Sequence, residues 1–271
     1  MNHPIAQLVA LACHANARLR GGRPATSFLQ ENSTTRFCDR IAFVRTDRSW
    51  LGRPRETPTA DDPDAWFDVL AAERATNVRL FHATRDHPLF PDRFTAGFVG
   101  GGGVWLLLVS YEHGCERWIA NWEVWNREAP ESRIWRVTYR GDRGSFERDN
   151  GPTLPAARAE LISALLRIHA FAAAHDCQPF TDNFRDALHT LTNTTTRHGY
   201  HHDLDAGMLP ADATNLLDAA QSAMVFGGMG SWNDMGFDGD AGVEYEASSA
   251  ALYAALNDAI VAATNASAAQ G

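Results

Sequence analysis

Three histidines and two aspartates lie within residues 198–205. Imidazole nitrogens and carboxylate oxygens are the usual protein ligands of catalytic zinc and similar divalent ions. The chemistry that this segment indicates is water activation by one metal ion in a hydrolase. Because Gly199 and the Thr/Asn run before it disfavour a regular helix, the alternative is an exposed polar loop. The residues assigned to the metal are His198, His202, Asp203 and, from a later segment, Asp238.

A glycine-rich segment at residues 227–246 carries five carboxylates and a tryptophan that we expect to be exposed. Oxygen-rich loops suit calcium, but a count from Asp234 puts Gly236 and Tyr245 at the ligand positions 3 and 12 of the calcium loop. The alternative is a tight connection between helices, where glycine and aspartate are common. Since binding residues often lie on loops, the binding candidates here are Trp232, Asn233 and Asp234.

A third candidate is the aromatic and basic character of residues 117–140. Tryptophans can form a cleft for a small molecule, and arginines bind anions or stack on rings. The sequence thus allows a small-molecule-binding module whose aromatic cleft includes Trp118 and Trp122. The alternative is structural: the rings pack under helices, and the arginines contact the acidic half of the chain. Those arginines are Arg117, Arg127, Arg136 and Arg140.

Other catalytic motifs are missing from the sequence. No G-x-S-x-G nucleophile elbow is present, and the four cysteines form no CxxC pair. The four glycines at residues 100–103 precede a predicted strand, whereas a dinucleotide fingerprint opens a helix. All 24 basic residues are arginine, so no lysine is available for a Schiff base or a P-loop. We therefore predict no cofactor beyond the divalent metal of the hydrolase hypothesis.

The scaffold for these candidates is predicted from hydrophobic periodicity. Residues 94–140 form four extended segments separated by turns marked by glycine, proline or charge, and further strands are predicted at residues 40–46 and 78–83. Residues 49–63, with three prolines, are predicted to be a loop. The fold class is therefore α+β, with an antiparallel β-meander of about five strands in the N-terminal half, covered by helices.

Helical spacing dominates the rest of the chain. Helices are predicted at residues 3–20, from 64, from 154 for about six turns, at 183–191, from 212 and at 244–265. Residues 141–155 are rich in Gly, Asp, Asn and Pro and mark a candidate boundary. We expect a region of helix plus sheet at residues 1–150 and an all-helical region at residues 151–271, packed on the sheet as one globular unit.

The two halves of the chain differ in net charge. Residues 1–150 carry 20 Arg and 19 acidic residues, a net charge of +1, whereas residues 151–271 carry 4 Arg and 14 acidic residues, a net charge of −10. The net charge of the whole chain is −9. An acidic half repels phosphate backbones, so we predict no nucleic-acid partner. The leading functional hypothesis is a non-catalytic interaction protein whose acidic half binds a basic protein.

The predicted location is the cytoplasm. Sparse, unpaired cysteines fit a reducing compartment. The apolar residues 5–13 have helical spacing and no preceding Lys or Arg, unlike a secretory signal. No run approaches the roughly 20 apolar residues of a membrane span, so we predict no membrane association.

Overall fold

The computed structural model describes residues 1–22, 27–48, 54–85, 91–144, 151–193 and 201–269. Its strands are β1 (Cys38–Arg48), β2 (Pro54–Ala60), β3 (Asn77–Ala83), β4 (Val104–Tyr111), β5 (Gly114–Val124) and β6 (Trp135–Gly144). Its helices are α1 (His3–Leu19), α2 (Phe28–Glu31), α3 (Pro63–Ala72), α4 (Asp92–Thr95), α5 (Leu154–Ala174), α6 (Phe180–Asn193), α7 (Ala211–Ser222) and α8 (Gly239–Ala266).

The strands form one six-stranded sheet in the order β2-β1-β6-β5-β4-β3. The predicted α+β class is confirmed, and β4, β5 and β6 form consecutive antiparallel pairs as expected. The prediction of a purely antiparallel meander of about five strands is wrong, because β1 lies parallel to β6, with Ile41 beside Val137. The sheet is mixed because β1 lies inside it, next to β6, and runs parallel to that strand.

Two local predictions in the sheet region are also wrong. The segment expected to be the first strand of the meander, before the four glycines, contains α4 and turns. A Cβ at Gly101 would lie 1.8 Å from the Thr95 carbonyl oxygen, so the glycines pack against α4 and do not form a hairpin turn. Within the predicted loop at residues 49–63, β2 forms an edge strand, where prolines are tolerated because one side needs no ladder hydrogen bonds.

A stack of aromatic rings fills the core between the sheet and the N-terminal helices. The Phe43 ring stacks on Trp66 at 4.5 Å and on Tyr139 at 5.0 Å, centroid to centroid. Trp118 meets both Phe43 and Trp66 edge-on. A Cβ at Gly141 would lie 2.6 Å from the Trp118 ring, so the absence of a side chain there makes room for the indole. These rings bury the large apolar area that supports the sheet.

The last helix, α8, is apolar around most of its circumference, as expected of a buried helix. It packs against α5, α7, β3 and α1. It starts at Gly239, five residues before the predicted start, since the glycine-rich segment contributes its first turn. No helix within the described ranges is both long and apolar enough to cross a membrane.

Two asparagines cover the outer edge of β3, the strand at one end of the sheet. Asn16 from α1 accepts from the Val78 N–H at 2.8 Å and donates to the Val78 carbonyl at 2.8 Å. Asn265 from α8 accepts from the Leu80 N–H at 2.8 Å and donates to the Leu80 carbonyl at 3.0 Å. Each side-chain amide therefore takes the place of a neighbouring strand's peptide group.

Candidate functional site

A pocket of about 500 Å³ lies between α8 and the chain at the end of β3 and the start of α4. We call it the α8 pocket. Its volume lies within the range of small-molecule sites. The residues that line it are His82, Thr84, Pro91, Asp92 and Arg93 on one wall, and Ala250, Tyr253, Ala254, Asn257 and Asp258 on the other.

The α8 wall follows directly from helix geometry. Its residues are spaced by three, four, seven and eight positions from Ala250, so they share one face of the helix. Ala250 and Ala254 have small side chains and leave the space open, whereas Tyr253 and Asn257 supply polar atoms at its base. The two alanines therefore leave the pocket open, and Tyr253 and Asn257 provide hydrogen-bonding groups in it.

The Asn257 side chain is the unusual group of the pocket. It is 2% exposed, yet neither Oδ1 nor Nδ2 makes a hydrogen bond of normal geometry to any residue that the structure describes. The amide adjoins the Tyr253 hydroxyl and partly offsets the burial that raises the pKa of Tyr253 to about 12. A buried polar group without a partner costs about 1–3 kcal/mol, which a bound ligand could recover.

The glycine segment orients the groups beneath the pocket. The Gly102 carbonyl accepts hydrogen bonds from His82 Nε2 at 3.2 Å, Trp105 Nε1 at 3.0 Å and the Tyr253 hydroxyl at 2.9 Å. Because a carbonyl oxygen can only accept, His82 carries its proton on Nε2, and Nδ1 retains a lone pair. Burial lowers the pKa of His82, so its ring is neutral at pH 7.

The charge of the pocket is negative. Asp92 and Asp258 line it, and the pKa of Asp258 is raised by burial and by the nearby Glu160 carboxylate. Arg93 also lines it, but this guanidinium is 2% exposed and is paired with Glu246. Its charge is therefore already balanced within the protein.

A larger groove of about 920 Å³ lies at the turn between β4 and β5. Its buried carboxylate, Glu116, is 1% exposed and accepts from Arg143 at 2.7 Å, from Tyr111 at 3.1 Å and from Arg45 at 3.2 Å. These partners come from three other strands, so the cluster fastens the ends of four strands together. Its buried acid is already satisfied, unlike the amide of the α8 pocket.

The residues predicted to bind a metal lie in different surroundings. Asp203 accepts from the Ser33 hydroxyl at 2.5 Å and from the Ser33 N–H at 2.6 Å. His202 and Asp238 are exposed. His198 lies outside the described residues. Within the described ranges, no group of three or more His, Cys, Asp or Glu side chains could hold a metal ion; the metal site stays a prediction.

His201, which the sequence analysis did not assign to the metal, lies beside a serine hydroxyl. Its Nδ1 lies 2.8 Å from the Ser33 hydroxyl oxygen. Burial, together with His3, lowers the pKa of His201 to about 4. A general base works best with a pKa near the operating pH, so this imidazole is a weak base for activating Ser33. The hydrogen bonds of Ser33 with His201 and Asp203 instead hold the segment after residue 200 against the turn that follows α2.

The structure buries two of the tryptophans predicted to bind ligands. Trp232 and Trp118 are 0% exposed, so the expectation that Trp232 is exposed is wrong. Tertiary packing overrides the exposed character of the glycine-rich segment, because rings from α5, α6 and α8 surround Trp232. Trp122 is half-buried and contacts Trp135 edge-on at 6.0 Å.

The polar residues beside Trp232 are held by the protein itself. Asn233 donates to the Arg93 carbonyl at 2.8 Å and accepts from the Arg93 guanidinium at 3.1 Å. Asp234 accepts from the Gly230 N–H at 2.5 Å. The structure does not bring these two residues together with Trp118. The binding roles predicted for Trp118, Trp122, Trp232, Asn233 and Asp234 stay predictions.

The sheet arginines make ion pairs within the N-terminal half. The pairs Arg117–Asp142, Arg136–Asp39 and Arg140–Glu56 each measure 2.7 Å. These three ion pairs are therefore with carboxylates of the N-terminal half and not with the acidic half, as the structural alternative expected. Their partners lie on strands or strand ends of the same sheet, because cross-strand neighbours are the nearest opposite charges.

The α8 pocket was missed by sequence reasoning, although one of its walls left a signal. Between residues 250 and 263, Tyr253, Asn257 and Asp258 interrupt an otherwise apolar, alanine-rich helix. A polar side chain at a buried helical position is an informative exception. The opposite wall left no signal in the sequence. His82 and Asp92 are far from α8 along the chain, and only the tertiary fold brings them to the same pocket.

Comparisons with protein-family models, with curated proteins and with solved structures found no match to this chain.

Proposed function

We propose that this protein binds a small molecule in the α8 pocket. The observation that carries the proposal is the buried Asn257 amide, whose donor and acceptor atoms lack well-formed partners among the described residues. Protein interiors rarely leave such groups unsatisfied, so each one that persists calls for an explanation, and a ligand would provide one here. A small molecule that bonds to the amide would remove the cost of its burial.

The shape and composition of the α8 pocket support the same proposal. Ligand sites are largely apolar concavities with a few polar groups that fix orientation. Alanine methyl groups, Pro91 and the Tyr253 ring supply the apolar wall, and Asn257, Asp258 and Asp92 supply the polar groups. The aromatic cleft predicted from the sheet tryptophans is a different site from this one.

Filling the pocket should abolish binding. We expect the Ala254→Trp substitution to place an indole in the pocket, because Ala254 lines its rim and is exposed. Compounds that raise the melting temperature of the wild type in a thermal-shift screen should not stabilise this variant. A ligand at 100 times its dissociation constant stabilises by about 2.7 kcal/mol, which is readily measured.

The matched control is Ala247→Trp, which adds the same side chain at an exposed α8 position outside the α8 pocket. It should respond to the same compounds as the wild type. Compounds that stabilise all three proteins equally would contradict the proposal, since they would bind elsewhere.

A second candidate function is the binding of a basic protein by the acidic half. Four exposed carboxylates surround the start of α8, and two apolar side chains near them are also exposed, Met229 at 102% and Val243 at 72%. The sheet arginines are paired elsewhere and do not neutralise this surface. We call it the acidic surface; its carboxylates belong to Asp234, Asp238, Asp240 and Glu244.

The test of this second function uses a peptide of alternating Arg and Leu, with binding followed by fluorescence anisotropy. We expect the double substitution Asp238→Asn/Asp240→Asn to weaken binding about fivefold at low salt, with a smaller effect at 300 mM salt because of screening. The control Asp182→Asn/Asp186→Asn removes as much charge from α6. Equal weakening by both variants would show an unspecific charge effect and refute the acidic surface.

A further inference from the structure

We propose that the ligand of the α8 pocket is a small organic cation that also carries an amide-like hydrogen-bonding edge. The inference rests on the proposed function and specifies its ligand class. The cationic part follows from the carboxylates of Asp92 and Asp258, and the edge follows from the side-chain amide of Asn257.

The charges around the pocket favour a cation. Burial and, to a smaller extent, the nearby Glu160 carboxylate disfavour the ionised form of Asp258, and a bound positive charge would offset both effects. His82 contributes no positive charge at pH 7, because burial lowers its pKa. Arg93, a cation in the wall of the pocket, is engaged by Glu246 and Asn233 and is not available to an anion.

The Asn257 amide determines the second part of the ligand. Its Oδ1 accepts and its Nδ2 donates, so a ligand edge with one donor beside one acceptor can bond to both atoms. Primary amides and the edges of many nitrogen heterocycles have this arrangement. Since both atoms are buried, a ligand without such an edge would leave them unsatisfied and bind less tightly.

Four substituted benzenes separate the two features. The first, 4-(aminomethyl)benzamide, has both the ammonium group and the amide edge. The second, 4-methylbenzamide, has the edge without charge, and the third, 4-carbamoylbenzoate, has the edge with a negative charge. The fourth, benzylamine, has the positive charge without the edge. Dissociation constants would be measured by ligand-observed NMR or calorimetry at pH 7.5 and low salt.

We expect 4-(aminomethyl)benzamide to bind most tightly. The 4-methylbenzamide should bind about fivefold more weakly, because it lacks the positive charge and one partly exposed ion pair changes affinity by about this factor. The 4-carbamoylbenzoate should bind least. The Asp258→Asn variant should reduce the preference for the cation, and Asn257→Leu should remove the advantage over benzylamine. Asn257→Leu replaces a poorly bonded buried amide with an apolar group of similar size, so it should fold.

The failures of the two proposals are distinguishable. If 4-carbamoylbenzoate binds as tightly as the cation and Ala254→Trp abolishes both, the pocket binds small molecules but the ligand class is wrong. If Asp258→Asn leaves the ratio of the affinities for 4-(aminomethyl)benzamide and 4-methylbenzamide unchanged, the charge argument is wrong. If none of the four compounds binds, the ligand class is rejected, and the thermal-shift screen with Ala254→Trp alone decides the function.

Discussion

Replacing Trp232 with alanine is expected to lower the free energy of unfolding by about 4 kcal/mol, the usual cost of removing a large buried aromatic ring. The Trp232 side chain is 0% exposed, and its Nε1 donates to the Ser249 hydroxyl at 2.7 Å. Phe180, Phe184 and Tyr245 surround the ring at centroid distances of 5.2–5.4 Å. The substitution leaves a cavity where α5, α6 and α8 meet. Urea unfolding followed by circular dichroism measures the loss.

The matched control is Trp125→Ala. The Trp125 ring is 54% exposed, and its main contact is the Arg136 guanidinium, which lies 3.2 Å from the ring centroid. An exposed contact of this kind contributes about 0.5–1 kcal/mol. If both substitutions cost the same, Trp232 does not hold the helices together as the structure indicates.

Stability is expected to fall as the pH is lowered from 7 towards 4. Burial, reinforced by His3, lowers the pKa of His201 from 6.5 to about 4. Between pH 6.5 and about pH 4, His201 is protonated in the unfolded chain but remains neutral in the folded protein. The stability is therefore fully present above pH 6.5 and declines below it. His201 alone should account for a loss of about 2 kcal/mol at pH 5 and about 3 kcal/mol at pH 4.

Urea unfolding of the wild type and of His201→Asn at pH 7.5 and pH 5 measures this contribution. Asparagine can keep a hydrogen bond to Ser33 but does not titrate, so the variant should lose less stability on acidification. Some pH dependence should remain, because burial also lowers the pKa of His3 and of His14. His202→Asn at an exposed position is the control and should behave as the wild type. An identical pH dependence of wild type and His201→Asn would contradict the prediction.

The parts of the fold that the sequence predicts are those with local signals. The spacing of Ile5, Leu8 and Val9 is helical, and α1 forms there. The alternation of Trp118, Ala120 and Trp122 places them on one face of β5. Both patterns need only a few neighbouring residues, and secondary structure follows such patterns closely.

The remaining features depend on residues far apart in the chain. No local pattern indicates that Ile41 lies beside Val137 in a parallel pair. The burial of Trp232 depends on rings about fifty residues before it, whereas its own neighbours are glycines and aspartates typical of an exposed loop. For the same reason, the face of α8 that contains Asn257 could be recognised in principle, but the opposite wall of the α8 pocket, which includes His82, could not.

The asparagines on the edge of β3 have a consequence for association between copies of the chain. An open strand edge is a template on which a second molecule can add a strand, and such growth leads to aggregates or fibrils. Asn16 and Asn265 occupy the outward peptide groups of Val78 and Leu80, so an incoming strand would first have to displace two helices. On this side the protein is protected from intermolecular sheet extension while α1 and α8 stay in place.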